Sequence, residues 1–343
     1  MSWRMPAETE PHERTWMAWP TAAYTLGETE ASADEAWSSW SRVANAIAEH
    51  EPVVMLTTPS GRRRARRRLS ATITLHETEL DDAWYRDTGP TFVINEAGEL
   101  GAVDWAFNGW GEQDWARWEA DARAGQAAIT ATMAARISSP LVNEGGGIHT
   151  DGHGTFLVTE TVQLDPNRNP GWDPCAVEVE LQRTVGARKV IWLPRGLTRD
   201  TERYGTRGHV DLLATFPSPG ILLAHDQRNP DHPDHKVTDQ LIDQLTGQTD
   251  ADGRPLTILR LPAPRKVRDP QGFVDYSYVN HYVVNSAVIA CTFNDPADAE
   301  ALEILAEAYP GRRIVPIDAR ALFARGGGIH CITQQQPATP TDR

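Results

Sequence analysis

Apolar runs of β character alternate along the chain with helical stretches. PVVMLTT at residues 52–58 is followed by an arginine-rich segment at 61–68 and then by ATITLHE at 71–77. Later come KVIWLP at 189–194, ILLAHD at 221–226, LTILRLP at 256–262 and SAVIACTF at 286–293, while DAEALEILAEAYP at 298–310 reads as a helix before RIVPID at 313–318. Strands separated by helices of this length predict an α/β architecture. One boundary carries its own chemistry: a helix over residues 296–309, with Asp295 placed to cap it and Pro296 in its first turn.

No Gly/Ser-rich or Pro-rich linker divides the chain, so residues 1–343 are expected to form one domain, with residues 336–343 as a frayed tail. An internal repeat stands out. Gly145-Gly146-Gly147-Ile148-His149 recurs letter for letter as Gly326-Gly327-Gly328-Ile329-His330, followed by Thr150 in one copy and Cys331 in the other. Both copies open strand-like segments, which predicts equivalent places in a pseudo-symmetric fold, with glycines permitting turns that a Cβ would crowd.

The charge balance narrows the function. With 33 Lys+Arg against 47 Asp+Glu the net charge is −14, which argues against nucleic acid or an anionic membrane as partner. The arginines at 62–68 then read as a solvated helix face. No apolar run approaches the length of about 18 residues that a membrane span requires, and MSWRMPAETE has no signal-type apolar stretch, so a cytoplasmic enzyme is expected. Cys175, Cys291 and Cys331 are too few for a disulfide framework and too scattered for a zinc knuckle, which leaves room for a nucleophile. Of the 12 tryptophans, Trp105, Trp110, Trp115 and Trp118 crowd one segment, able to pack a core or to wall a pocket for a cation.

Four constellations carry candidate chemistry. In Trp84-Tyr85-Arg86-Asp87-Thr88-Gly89-Pro90, the Arg-Asp pair is either a surface ion pair at a turn or, with Asp87 held beside a tryptophan, a seat for a planar cation. In Glu144-Gly145-Gly146-Gly147-Ile148-His149-Thr150-Asp151-Gly152-His153, the alternation of His149, Asp151 and His153 would put three metal-type ligands on one face of a strand, although Gly152 weakens a regular strand. In Gly208-His209-Val210-Asp211, a strand would point a proton shuttle and a carboxylate the same way. In Gly326–Pro337, Cys331 after a glycine-rich loop is either a nucleophile awaiting a base or a buried structural thiol.

Taken in order, these motifs resemble the agmatine deiminases and bacterial-type peptidylarginine deiminases of the guanidino-group-modifying superfamily. The match includes Met5-Pro6-Ala7-Glu8, the Arg-Asp-Thr-Gly-Pro turn, Glu-Gly-Gly-Gly-Ile-His, Pro166-Asn167-Arg168-Asn169-Pro170, Ser277-Tyr278-Val279-Asn280 and the closing Gly-Ile-His-Cys-Ile-Thr-Gln-Gln-Gln-Pro. The resemblance implies a pentein-like, five-bladed pseudo-symmetric α/β propeller. It implies Cys331 as nucleophile on the guanidinium carbon, Asp87 and Asp211 as guanidinium-binding carboxylates, His209 as general acid and base, and Glu144 as the residue assisting it. No metal or organic cofactor is implied; the partner is a small guanidino substrate walled by Trp84, and a homo-oligomer is plausible for such a family. The chain departs from the family at Gly205, where typical agmatine deiminases have an acidic residue four positions before the histidine. The stretch 198–208 is longer than usual, so that Glu202 could replace the missing carboxylate, or an arginine such as Arg207 could favour a carboxylate-bearing substrate such as arginine. The segment 264–275 is shorter than the family's insertion, which predicts a more open pocket. Two readings of other classes remain: a metal-dependent ureohydrolase using the HxDxH cluster, and a non-catalytic guanidinium-binding protein.

Overall fold

The structure, a computed structural model, describes residues 2–21, 23–266 and 268–339. Among them, five sheets repeat one connectivity. A first strand pairs antiparallel with a second, and a helix then carries the chain to a third strand parallel to the second, the crossover that parallel pairing requires. Thr91–Asn95, Leu100–Ala106, helix Ala124–Thr132 and Ala135–Val142 form one such unit. Ile148–Thr150, Thr155–Thr159, helix Pro174–Val185 and Lys189–Leu193 form the next. Ala214–Ser218, Ile221–Asp226, helix Asp234–Leu245 and Thr257–Pro262 follow, then Tyr282–Val284, Ala287–Thr292, helix Asp298–Ala308 and Arg313–Asp318. The fifth is shared by the two ends of the sequence: Gln334–Pro337 lies antiparallel to His12–Ala18, and helix Glu30–Ile47 leads on to Val53–Thr57. The α/β expectation therefore holds, with a repeated ββαβ unit behind it.

The strands are apolar because the sheets are covered. Val53–Thr57 is buried at all five positions, as suits a parallel strand packed on both faces. Helix Glu30–Ile47 starts where Thr29 accepts a hydrogen bond from the Ser32 amide, and it buries Trp37, Trp40, Val43, Ala44 and Ile47 at helical spacing. Each large side chain so buried contributes roughly 1.5–3 kcal/mol. The arginine helix Arg62–Arg68 buries only Ala65; Arg64 stacks over Trp37 at 3.8 Å, and Arg62 and Arg68 pair with Glu77 and Asp34.

Several boundaries move. ATITLHE is strand only over Thr74–Glu77. The helix expected from residue 296 starts at Asp298, with no side-chain cap at Ala297; the Asp295 carboxylate instead accepts from the amides of Arg265, Lys266 and Ala297 and fastens a neighbouring loop. Of the residues expected to fray, Gln336 and Pro337 belong to the paired strand Gln334–Pro337 and the Ala338 amide donates to Pro11 O at 2.8 Å; residues 340–343 lie outside the described set.

The letter-perfect repeat is out of phase with the structural one. Gly145–Gly147 itself forms a helical turn directly before the strand Ile148–Thr150, whereas in the second copy the turn is His330–Ile332, starting at the fifth letter. Val210–Leu212 is likewise a turn where a strand was expected. What repeats is the role: each unit's first strand is entered through a short turn, at Tyr85–Thr88, Gly145–Gly147, Val210–Leu212, residues 278–280 and His330–Ile332. These five turns supply the polar residues of the site.

Candidate active site

The turns bring Asp87, Glu144, His209, Asp211, Asn280 and Cys331 into one buried cluster. His209 Nε2 lies 3.0 Å from Glu144 Oε2. Glu144 is held from its other side by Arg168 Nε at 3.0 Å, and Arg168 also binds Asp165 Oδ2 and Thr206 O. Asp87 accepts from Trp110 Nε1 at 2.9 Å and from the Gly146 amide at 3.3 Å, and its Oδ1 is 3.8 Å from His209 Nδ1. Cys331 Sγ lies 3.3 Å from Asn280 Nδ2 and 3.7 Å from Asp211 Oδ2. Among the described residues, His209 Nδ1 and Asp211 Oδ1 are buried without a partner. Buried polar atoms are nearly always paired, so orphans gathered beside a thiol mark a place for a polar ligand.

Gly146 makes that place. A Cβ there would stand 2.5 Å from His209 Nδ1 and 3.1 Å from both Asp211 Oδ2 and Asp87 Oδ1. The triple glycine is thus needed for close approach; its three residues have no positive φ.

Charge is arranged in opposition. Burial pushes Asp87 up to about 6, reinforced by Glu144 and Asp211 and opposed by His209. Burial disfavours charge on His209 too, but Asp87, Glu144 and Asp211 override it and hold the imidazole up to about 9. Glu144 resists burial because Arg168 and His209 keep it down to about 2. The Cys331 thiol is driven well above its ordinary range by burial and by the Asp211 and Asp87 carboxylates. The site at neutral pH therefore pairs a thiol with an imidazolium, between carboxylates that a bound cation would neutralise.

The family profile of Porphyromonas-type peptidyl-arginine deiminases matches residues 4–337. The chain belongs to this family. It is 52% identical over 342 residues to a Streptomyces coelicolor protein named provisionally as an agmatine deiminase, covering 99% of this chain and 100% of that one. It is 37% identical to the agmatine deiminase of Pseudomonas aeruginosa, with 98% and 95% covered. Among solved structures, the agmatine deiminase of Enterococcus faecalis superposes with a TM-score of 0.91 at 32% identity, covering 98% of this chain and 96% of that chain.

A small cavity next to Cys331 and Asp87 is walled by Trp84, Trp110, Trp115, Tyr24 and Tyr204. Tyr24 stacks on Tyr204 at 5.1 Å, and Trp110 on Trp115 at 5.4 Å. Aromatic rings close in around this inner cavity and make it narrow. Gly205 borders the cavity with its backbone, and a Cβ there would stand 2.0 Å from Asp200 O, so this loop conformation has no room for a side chain at that position.

The loop arginines are engaged elsewhere. Arg199 binds Asp269 and Gln271, Arg203 faces Asp114, and Arg207 donates to Thr201 O, away from the cavity lining. Glu202 is exposed in the outer vestibule, together with Asp275, which burial and Asp200 push up to about 7. Arg325 reaches both cavities but spends its guanidinium on Thr25 O, Ala321 O and Glu35.

The HxDxH residues do not converge. His149 Nε2 accepts from the Phe216 amide, Asp151 accepts from the amides of His153 and Thr155 and fixes the hairpin, and His153 is exposed. No group of metal-type ligands occurs among the described residues. Cys175 is exposed at the start of a helix, and Cys291 is buried in a strand with its thiol pushed up to about 12 by burial. Sequence reading assigned no role to Glu8, Gly146, Asn280 or Arg168. Trp110 carried a signal, as part of the tryptophan-dense segment that could wall a cation pocket.

Proposed function

We propose that the protein deiminates a small guanidino compound, agmatine first, giving N-carbamoylputrescine and ammonia. The observation that carries this reading is the pairing of Asp87 and Asp211 beside Cys331, with an Asp211 oxygen and a His209 nitrogen left without partners. Two carboxylates match the N–H groups of a guanidinium and hold its carbon next to Sγ. Binding the cation removes the repulsion that keeps the thiol protonated, so Sγ–H gives its proton to solvent and the thiolate forms in the complex; the proton of the hydroxyl added later returns to sulfur as the C–S bond breaks. Sγ attacks the central carbon, and His209 delivers its proton to the departing nitrogen, which leaves as ammonia. The S-amidino intermediate retains a C–S bond and a delocalised positive charge. His209, now neutral, takes a proton from water; the hydroxyl adds to the carbon, the C–S bond breaks, and the ureido product and Cys331 are released. Glu144, anchored by Arg168, holds His209 in place through both halves.

The vestibule is lined by Glu202 and Asp275 and by Arg199, Arg203 and Arg325; because these arginines face Asp269, Asp114 and Glu35, the two remaining acids favour an ammonium over a carboxylate at the distal end. Agmatine is therefore expected to exceed arginine in kcat/KM, with ammonia and not urea released and with no loss of rate in EDTA. Asp275→Asn combined with Glu202→Gln should raise KM for agmatine about three- to tenfold while leaving butylguanidine unaffected, as for partly exposed ion pairs. Arginine turned over tenfold faster than agmatine would overturn the substrate, and chelator loss restored by Mn²⁺ would overturn the chemistry.

The pH profile of kcat/KM should be bell-shaped. Below about 6 Asp87 takes up a proton and loses its hold on the guanidinium, so the rate falls as pH drops. Above about 9 His209 loses the proton that the leaving nitrogen requires, so it falls as pH rises. An alkaline limb already descending at pH 7 would contradict this assignment.

A further inference from the structure

Glu8 and His330 take no part in the chemistry above, yet both are buried and both are tied to Asp211. His330 Nδ1 is 2.8 Å from Asp211 Oδ2, and His330 Nε2 is 2.8 Å from Glu8 Oε2. The other Glu8 oxygen accepts from the Val283 amide at 2.8 Å, and Arg86 Nη2 stands 3.6 Å from Glu8 Oε2. An imidazole facing carboxylate oxygens through both nitrogens donates from both only when protonated. Burial and Arg86 oppose that charge, but Glu8 and Asp211 outweigh them and the His330 pKa is raised. The contrast within the same molecule is informative: buried His149 and His225 have no carboxylate bonded to the ring, and burial lowers both to about 3.

We propose that Glu8 and His330 are positioning residues that hold Asp211 for the guanidinium. The proposal rests on the deiminase reading, and it answers a physical need of that reading. Asp211 Oδ2 lies 3.7 Å from Cys331 Sγ, so thiolate formation would push the carboxylate away unless something anchors it. His330 anchors Oδ2 and leaves Oδ1, which has no partner, for an N–H of the substrate. Glu8 keeps His330 charged.

The test measures binding of methylguanidinium to Cys331→Ala protein by calorimetry, so that neither turnover nor the identity of the substrate's tail enters. His330→Ala should weaken binding about tenfold or more, as for loss of a charge-assisted bond to the binding carboxylate. His330→Asn, whose amide can still donate to Asp211, should recover most of that loss. In an Asp211→Asn background, His330→Ala should cost nothing further, since its effect passes through Asp211. Affinity within twofold of the parent for His330→Ala, or the same loss with and without Asp211, overturns the proposal; a merely structural residue gives the second result. If His330→Ala fails to fold, Glu8→Gln replaces it in the cycle under the same criteria, because it keeps the shape and removes the charge. Agmatine turnover by the unmodified enzyme tests the deiminase reading separately, so either can fail alone.

Discussion

Cys331→Ala is expected to lower ammonia release from agmatine by about four orders of magnitude or more, because it removes the atom through which the reaction passes. The fold should survive. The thiol makes only weak contacts with Asn280 and Asp211, so little of the packing depends on the sulfur. Quenched wild-type enzyme should carry a substrate-derived mass on the peptide containing Cys331, absent from the variant. Cys175→Ser, on an exposed helix turn, should leave activity unchanged. Cys291→Ala should lower stability by leaving a cavity in a strand while sparing the chemistry. Activity retained by Cys331→Ala but lost from Cys291→Ala would mean the nucleophile has been misplaced.

The second large effect comes from one methyl group. Gly146→Ala should cut kcat/KM about a hundredfold, because the new Cβ would intrude on His209 Nδ1 and on oxygens of Asp87 and Asp211, the two carboxylates proposed to bind the guanidinium, where small displacements are costly. The backbone at Gly146 has no positive φ, so alanine is tolerated there conformationally and the loss should appear without unfolding. Gly125→Ala is the matched control: it lies in helix Ala124–Thr132 with 3.4 Å to its nearest neighbour and should be neutral or stabilising. A Gly146→Ala enzyme retaining a third of the wild-type kcat/KM would show that the guanidinium sits elsewhere.

The strands from PVVMLTT to RIVPID were legible because buried parallel strands leave long apolar runs. The polar turns that build the site were less so. His209 and Asp211 read as a strand from their alternation, but Gly208 at φ +120 and the Asp200 carboxylate, which accepts from the His209 amide, wind the segment into a turn. Asp295 looked like a helix cap because its spacing to Pro296 is right, yet its carboxylate is drawn off by Arg265 and Lys266 amides across the fold. Cys331, Asp87, Glu144 and His209 were identifiable as motif positions. The supporting contacts were not: Arg168 to Glu144, Trp110 to Asp87 and Glu8 to His330 join residues 24, 23 and 322 positions apart, and no local pattern encodes such pairs.

The strand that completes the fifth sheet has a consequence for how the protein is made. Translation produces His12–Ala18 well before its partner Gln334–Pro337, so that edge of the sheet stays unpaired while the four other sheets between them are made. Arg86, waiting for the Gln334 and Gln335 side chains, shares the delay, as do Glu8 and Asp211, which need His330. A nascent chain carrying every carboxylate of the site still lacks its nucleophile and its final strand. On the chemistry proposed above, a chain that stops before residue 331 is therefore expected to lack turnover and to leave the His12–Ala18 edge of the fifth sheet unpaired.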